Sequence, residues 1–172
     1  MTITASQAQT LLACLRRQHF AVLSTSDASS IPASAGVSYG ASQSDLVLYV
    51  MTRRNLQKAR NIAENPQVSL VVPVARRLAW FLPPATMQLL GSAELLEWTD
   101  PGGTKVFQHF WLGRRILGGY RRSHRVGEHR ICFIRITLDP VIHTYMLETS
   151  LWKIWRQMES GSNRVVIDQP RP

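Results

Sequence analysis

The sequence predicts a mainly β protein, an antiparallel barrel or sandwich with a few peripheral helices. Three observations carry this. Short apolar segments recur along the chain with polar or Gly/Pro/Asp turns between them. Two longer segments, around Met87–Leu95 and Cys132–Leu138, alternate with period two, as strands with one covered face do. Segments with helical spacing are few and do not alternate with strands in the manner of a parallel sheet.

Taken in order, Ser6–Gln18 has apolar residues at Ala8, Leu11, Leu12 and Leu15, a helical spacing with Ser6 as N-cap. His19–Thr25 reads as a strand, Ser26–Ser30 as a turn, Ile31–Tyr39 as a strand of small residues and Gly40–Asp45 as a second turn. Leu46–Met51 is a continuous apolar run, which predicts a strand buried on both faces. Asn55–Glu64 is a short helix with Leu56, Ala59, Ile62 and Ala63 inward, ended by Asn65-Pro66. Val68–Val74 is a strand apolar on both faces, Arg76–Pro84 a loop carrying Trp80 and Phe81, and Thr86–Glu97 a long alternating strand. Asp100–Gly103 reads as a break, Thr104–Arg115 as a helix and Gly118–Gly127 as a basic connection. Arg130–Leu138 alternates again and stops at Asp139-Pro140, followed by strands at Val141–Met146 and Val165–Ile167.

A chain of 172 residues without internal repeats is expected to form one domain over residues 1–172. A hydrophobic fraction of 45% supplies a packed core and excludes disorder. No apolar run reaches the roughly 18 residues of a membrane span, and the polar Met1–Gln9 stretch does not read as a secretion signal, so a cytoplasmic location is expected. Cys14 and Cys132 match no metal spacing and read as small buried apolar residues. The net charge of +9 fits nucleic acid, an anionic surface or a phosphorylated small ligand. The arginines fall in short groups rather than one run. The segment Arg114–Arg125, with Trp111 and Tyr120, has the composition of a nucleic-acid patch but no accompanying module, so nucleic acid is not the expected partner.

Chemistry concentrates in Leu48–Pro66. A buried strand ends at Thr52 and a helix starts about three residues later, with hydroxyl, amide and cationic side chains at the junction. Free N–H groups and the positive end of the helix macrodipole suit phosphate there. Lys58 and Arg53 supply positive charge and Thr52 a hydroxyl donor.

The pattern aromatic-x-x-Thr, a short loop, Lys58-Ala, then Asn65-Pro-x-Val resembles the phosphate segment of the pyridoxamine 5′-phosphate oxidase-like, FMN-binding split-barrel family. Leu23-Ser-Thr, Pro32-Ala-Ser-Ala-Gly-Val, Met87-Gln-Leu-Leu-Gly-Ser-Ala-Glu94 and Ile134-Arg-Ile-Thr-Leu-Asp-Pro140 fit the same pattern. The resemblance implies a split β-barrel of about six antiparallel strands, a homodimer, and an FMN cofactor. It sets Ser34, Ala35, Gly36 and Val37 along the flavin ring, Met51 and Thr52 beside the ribityl phosphate, and Lys58 on the phosphate, with Arg53 and Gln57 nearby. The family often has serine and arginine in the two places before that lysine; here they are Leu56 and Gln57. The C-terminal arginine–histidine motif of the true oxidases has no counterpart, which argues against pyridoxamine phosphate as substrate. Trp152 is a candidate to cover the flavin from a partner chain.

His19, His109, His124, His129 and His143 have no metal-ligand spacing, and no catalytic triad or paired carboxylates stand out. No metal is expected and no catalytic side chain is assigned. The expected function is a flavin-dependent oxidoreductase of unknown substrate. The alternatives are a binding protein of the same fold for FMN, the deazaflavin F420 or haem without turnover, or a cofactor-free member. Homodimerisation also follows from the strands read as apolar on both faces, which a lone barrel would leave uncovered.

Overall fold

The computed structural model describes residues 5–74, 85–145 and 162–167. The elements run α1 (Ala5–Arg17), β1 (Phe20–Ser26), β2 (Pro32–Ala41), β3 (Val47–Arg53), α2 (Gln57–Glu64), β4 (Gln67–Val74), β5 (Ala85–Glu97), α3 (Pro101–Gln108), α4 (Trp111–Arg125), β6 (Ile131–Tyr145) and β7 (Ser162–Val166). The strands hydrogen-bond in the order β3-β2-β1-β4-β5-β6-β7, and β3 also pairs with β6. That extra pairing closes β1–β6 into an antiparallel split β-barrel, with β7 added along the far half of β6.

Period-two alternation fills the barrel. Leu23, Leu48, Leu70, Met87, Ile134 and Ile136 are fully buried and come from five different strands. Leu11 and Leu15 of α1 close one end, where the Tyr39 hydroxyl donates to the Leu15 carbonyl at 2.8 Å. A second apolar layer lies outside. Tyr49 and Met51 of β3 and Ile131 and Phe133 of β6 face Phe107 of α3 and Leu117 of α4. The two helices therefore form a cap that buries the outer face of β3 within one chain.

Several expectations change. Asp100–Gly103 is a helix start rather than a break: the Asp100 carboxylate accepts the Gly103 N–H at 2.7 Å and Pro101 occupies the first turn. The helix expected over Thr104–Arg115 is two helices parted at His109–Phe110, and the basic connection at Gly118–Gly127 is mostly α4. Gly118 and Gly119 lie on its open face with no atom near a would-be Cβ, while Ile116, Leu117 and Tyr120 turn toward the barrel. Asp139-Pro140 does not stop β6. Proline sits where β6 leaves β3 for β7 and bulges opposite β5, so its missing N–H disrupts little. In α2 the inward residues are Ala59, Asn61 and Ile62, whereas Leu56 and Ala63 are exposed. Asn61 is turned inward because its amide donates to the Thr25 hydroxyl at 3.0 Å. Ser6 lies inside α1 rather than at its cap. β4 alternates instead of being covered on both faces. Trp80, Phe81 and Trp152 lie outside the described residues.

Candidate functional site

β2 and β3 pair only over Tyr39↔Val50, Gly40↔Tyr49 and Ala41↔Leu48. Beyond that register the two strands part, and a cleft of about 260 Å³ opens between them. Gly36, Val37 and Ser38 of β2 line one side; Val50, Met51 and Thr52 of β3 line the other. Leu56 and Lys58 at the start of α2 close the polar end, and Ile116 and Tyr120 of α4 form a third wall.

The polar end has unused hydrogen-bonding capacity. Thr52 is 1% exposed, and its Oγ1 has no hydrogen-bond partner. A buried unpaired hydroxyl costs about 1–3 kcal/mol, so its retention calls for an explanation. Leu56 occupies the N-cap of α2 and offers no side-chain cap, leaving the helix's first N–H groups open. Lys58 is half-buried and in no ion pair among the described residues. Hydroxyl, ammonium and helix N-terminus thus converge on one end of the cleft, an arrangement that suits an anion.

The opposite wall is spent on structure. The Tyr120 hydroxyl donates to the Met51 carbonyl at 3.4 Å, and burial pushes its pKa up. The Arg53 guanidinium lies 5.6 Å from the centre of the Tyr120 ring, with its Nε 3.3 Å from Glu128. Glu128 also accepts from Arg130, which with Arg53 holds its carboxyl down at about 2. Arg54 pairs with Glu97 at 2.7 Å. Neither arginine is left over to replace the missing residues beside Lys58.

Of the residues singled out from sequence, Gly36, Val37, Met51, Thr52 and Lys58 come together in the cleft. Ser34 and Ala35 lie further along β2 and do not line it; the Ser34 hydroxyl pairs with that of Ser24 at 2.9 Å. Gln57 is tied along its own helix, donating to Asn61 and accepting from Arg60, both at 3.1 Å. Arg53 is drawn to Glu128, and Trp152 is outside the described residues. Sequence reasoning missed Ile116 and Tyr120. Their spacing with Leu117 is a helical stripe, obscured by the glycine pair beside it.

The family model described as pyridoxamine 5′-phosphate oxidase matches residues 8–137, three-quarters of the chain and every wall of the cleft. The chain belongs to the pyridoxamine 5′-phosphate oxidase family. Among solved structures, this family member is similar to HutZ, the haem storage protein of Vibrio cholerae, at 16% identity and a TM-score of 0.60 over 78% of this chain and 91% of that one. It is also similar to a haem-binding protein of Mycobacterium smegmatis, at 14% identity and a TM-score of 0.66 over 96% of this chain and 59% of that one. General stress protein 26 of Bacillus anthracis is a third, at 22% identity and a TM-score of 0.53 over 80% and 92%. At these identities the likeness is one of fold. No curated protein matches the chain by sequence. Among the described residues of this family member no cluster of three metal-ligating side chains occurs, and no helix is long and apolar enough to cross a membrane.

Proposed function

We propose that this chain binds FMN in the cleft between β2 and β3 and acts as a flavin-dependent oxidoreductase. The observation that carries the reading is Thr52 Oγ1, buried and unpaired beside Lys58 and the uncapped start of α2. A ribityl phosphate satisfies all three groups at once, with Lys58 giving the charge-assisted contact. Gly36, Val37 and Met51 then lie along the flavin ring. FMN supplies the electron transfer; the chain's part is to bind it, orient it and exclude water. This explains why no acid–base or nucleophilic constellation accompanies the cleft.

The reading includes a homodimer. A volume of about 260 Å³ is below the roughly 300–1,000 Å³ of a pocket that encloses its ligand. The cleft is open beside Gly36, which is exposed and continuous with an uncharged outer face formed by Phe20, Val22, Ser24 and Val71. A second copy docked on that face completes the enclosure. The fully buried β3 no longer argues for it, since the chain's own cap covers that strand.

Haem is the second reading, favoured by the haem-binding descriptions of two structural neighbours. None of the five histidines lines the cleft, so an axial imidazole has no source there. An absorption spectrum of the purified protein separates flavin, deazaflavin F420 and haem. A fluorescence titration then tests the site. Lys58→Ala is expected to weaken FMN roughly tenfold to a hundredfold and to leave riboflavin, which lacks the phosphate, almost unchanged. Arg164→Ala, at an exposed position of β7, is the control. Equal weakening of both flavins, or binding of neither by the wild type, refutes the assignment.

A further inference from the structure

A second cleft of about 260 Å³ lies at the other end of the cap, between α1, β2 and the α3–α4 corner. Its apolar wall is Ala41, Val106 and Phe110, and its rim carries Arg16, Arg17 and His109, with no carboxylate among the lining residues. The wall is rigidly built. A Cβ on Gly40 would approach Val106 Cγ1 to 2.5 Å, and one on Gly113 would approach Phe110 Cε1 to 2.6 Å. Phe110 is thus held between two glycines while its ring stacks on His19 at 3.9 Å and 8°.

The two arginines differ. Arg16 is a strap, donating from Nε to the Ser42 carbonyl at 3.2 Å and from Nη2 to the Gln43 carbonyl at 2.7 Å. Arg17 is exposed and makes no ion pair among the described residues. Both complement the C-terminal end of α1, which accounts for positive charge there but not for the second feature. His19 Nδ1 is buried in the floor with no hydrogen-bond partner. Burial lowers the pKa of this imidazole, opposed in part by the backbone of Tyr39, so the ring stands neutral. A concave apolar wall, an unopposed cationic rim and an unsatisfied buried polar atom together make a ligand site rather than a solvated face.

We propose that this cleft binds a small organic anion, its apolar body against Val106 and Phe110 and its carboxylate or phosphate between Arg17 and His109. The mixed lining selects this class, because an inorganic ion engages the rim alone and a neutral apolar molecule leaves the rim uncompensated. The site is independent of the flavin cleft: Lys58, Thr52 and Tyr120 take no part in it.

The test is calorimetric titration of the full chain with phenyl phosphate, benzoate, inorganic phosphate and benzyl alcohol. Phenyl phosphate and benzoate are expected to bind, inorganic phosphate at least tenfold more weakly and benzyl alcohol not at all. Arg17→Ala is expected to weaken the organic anions about tenfold; Arg164→Ala, at an exposed position that lines neither cleft, leaves them unchanged. In the wild type, imidazole nitrogen resonances of His19 and His109 move on titration while those of His143 stay in place, a readout that needs no variant. Preference for inorganic phosphate, indifference to Arg17→Ala, or unmoved His19 and His109 resonances each overturn the proposal. Comparable binding of phenyl phosphate and benzoate identifies the anion's charge, rather than its phosphorus, as what is recognised; preference for one identifies the ligand class within the proposal.

Discussion

The barrel interior and the helical cap use the same kinds of side chain but are held in different ways. In the interior, each strand contributes residues at period two and a closed ring of backbone hydrogen bonds fixes their positions. Among the described residues the cap has no backbone ladder to the barrel; it rests on ring contacts, such as Phe107 on Phe133 at 5.7 Å, and on the polar latches Tyr120 to Met51 and Arg53 to Glu128. Neighbouring residues of β6 belong to different regions, Ile134 to the interior and Phe133 to the cap. The difference implies that the barrel sets whether the chain folds, while the cap sets the shape of both clefts, since α4 or its N-cap residue lines each.

The largest effects test that division directly. Ile134→Ala should cost about 2–5 kcal/mol, and Phe133→Ala about 3–5 kcal/mol. The pattern, read by native-state hydrogen exchange, should differ. Ile134→Ala shortens protection throughout, whereas Phe133→Ala releases α3 and α4 first and spares β1, β4 and β5. Uniform loss in the Phe133 variant would erase the distinction.

Glycines sharpen it within the cap. A Cβ on Gly103 would lie 2.9 Å from the Phe133 ring, which is fully buried and cannot move aside freely. Gly103→Ala should therefore cost about 1–3 kcal/mol by overpacking. Gly118 in α4 has nothing within 4 Å of that position. Gly118→Ala should stabilise by about 0.5–1 kcal/mol through helix propensity alone. Thermal melts of the two variants are expected to shift in opposite directions.

The barrel side of the β2–β3 cleft yields a smaller effect of unusual sign. Thr52→Val keeps shape while removing a buried hydroxyl that has no partner. The ligand-free protein should gain about 1 kcal/mol, while FMN binding weakens relative to riboflavin. A loss of ligand-free stability would mean that Thr52 has a structural role and would remove the main support for the phosphate reading.

How legible each region was follows from how it is held. Alternation at Met87–Ala93 and Cys132–Leu138 marked interior strands, because period two is imposed by the strand itself. The contiguous Thr52–Lys58 junction showed half of the β2–β3 cleft, because its parts are neighbours in sequence. The cap was read poorly. Asp100–Gly103 has the composition of a turn; the Asp100 cap and Pro101 open a helix there, and the close fit of Gly103 on Phe133 seats it against the barrel. Gly118-Gly119 hid the stripe that carries Tyr120, since glycines on an open helix face look like breakers when the other face is unknown. Arg17 and His19 are neighbours at the end of α1, but His109 reaches them from the α3–α4 corner, and nothing local in the sequence points to that meeting.

The smallest expected effect is on pH dependence, and it also separates the two regions. Arg130 and then Arg53 hold the Glu128 carboxyl at about 2, below its ordinary value of 4.5. A depressed carboxyl stabilises the fold fully above the unfolded value and loses that contribution as pH falls toward the folded one. Between pH 4.5 and 2 the Arg53–Glu128 latch should therefore weaken, and α4 with it. The polar residues buried in the strands, Thr25, Thr52 and Thr144, do not titrate in that window. His19, whose lowered pKa disfavours the folded state on acidification, acts from about pH 6.5 downward, so its effect begins earlier. The Tyr120 ring resonances followed against far-ultraviolet circular dichroism are expected to show the cap loosening at a higher pH than the barrel. Glu128→Gln should abolish the step between 4.5 and 2 and leave the earlier one in place. Because the pair is partly open to solvent, 0.5 M salt should shrink the step in the wild type and have little effect on the variant. A step that persists in Glu128→Gln would assign it to another carboxylate and leave the latch without a part in holding α4.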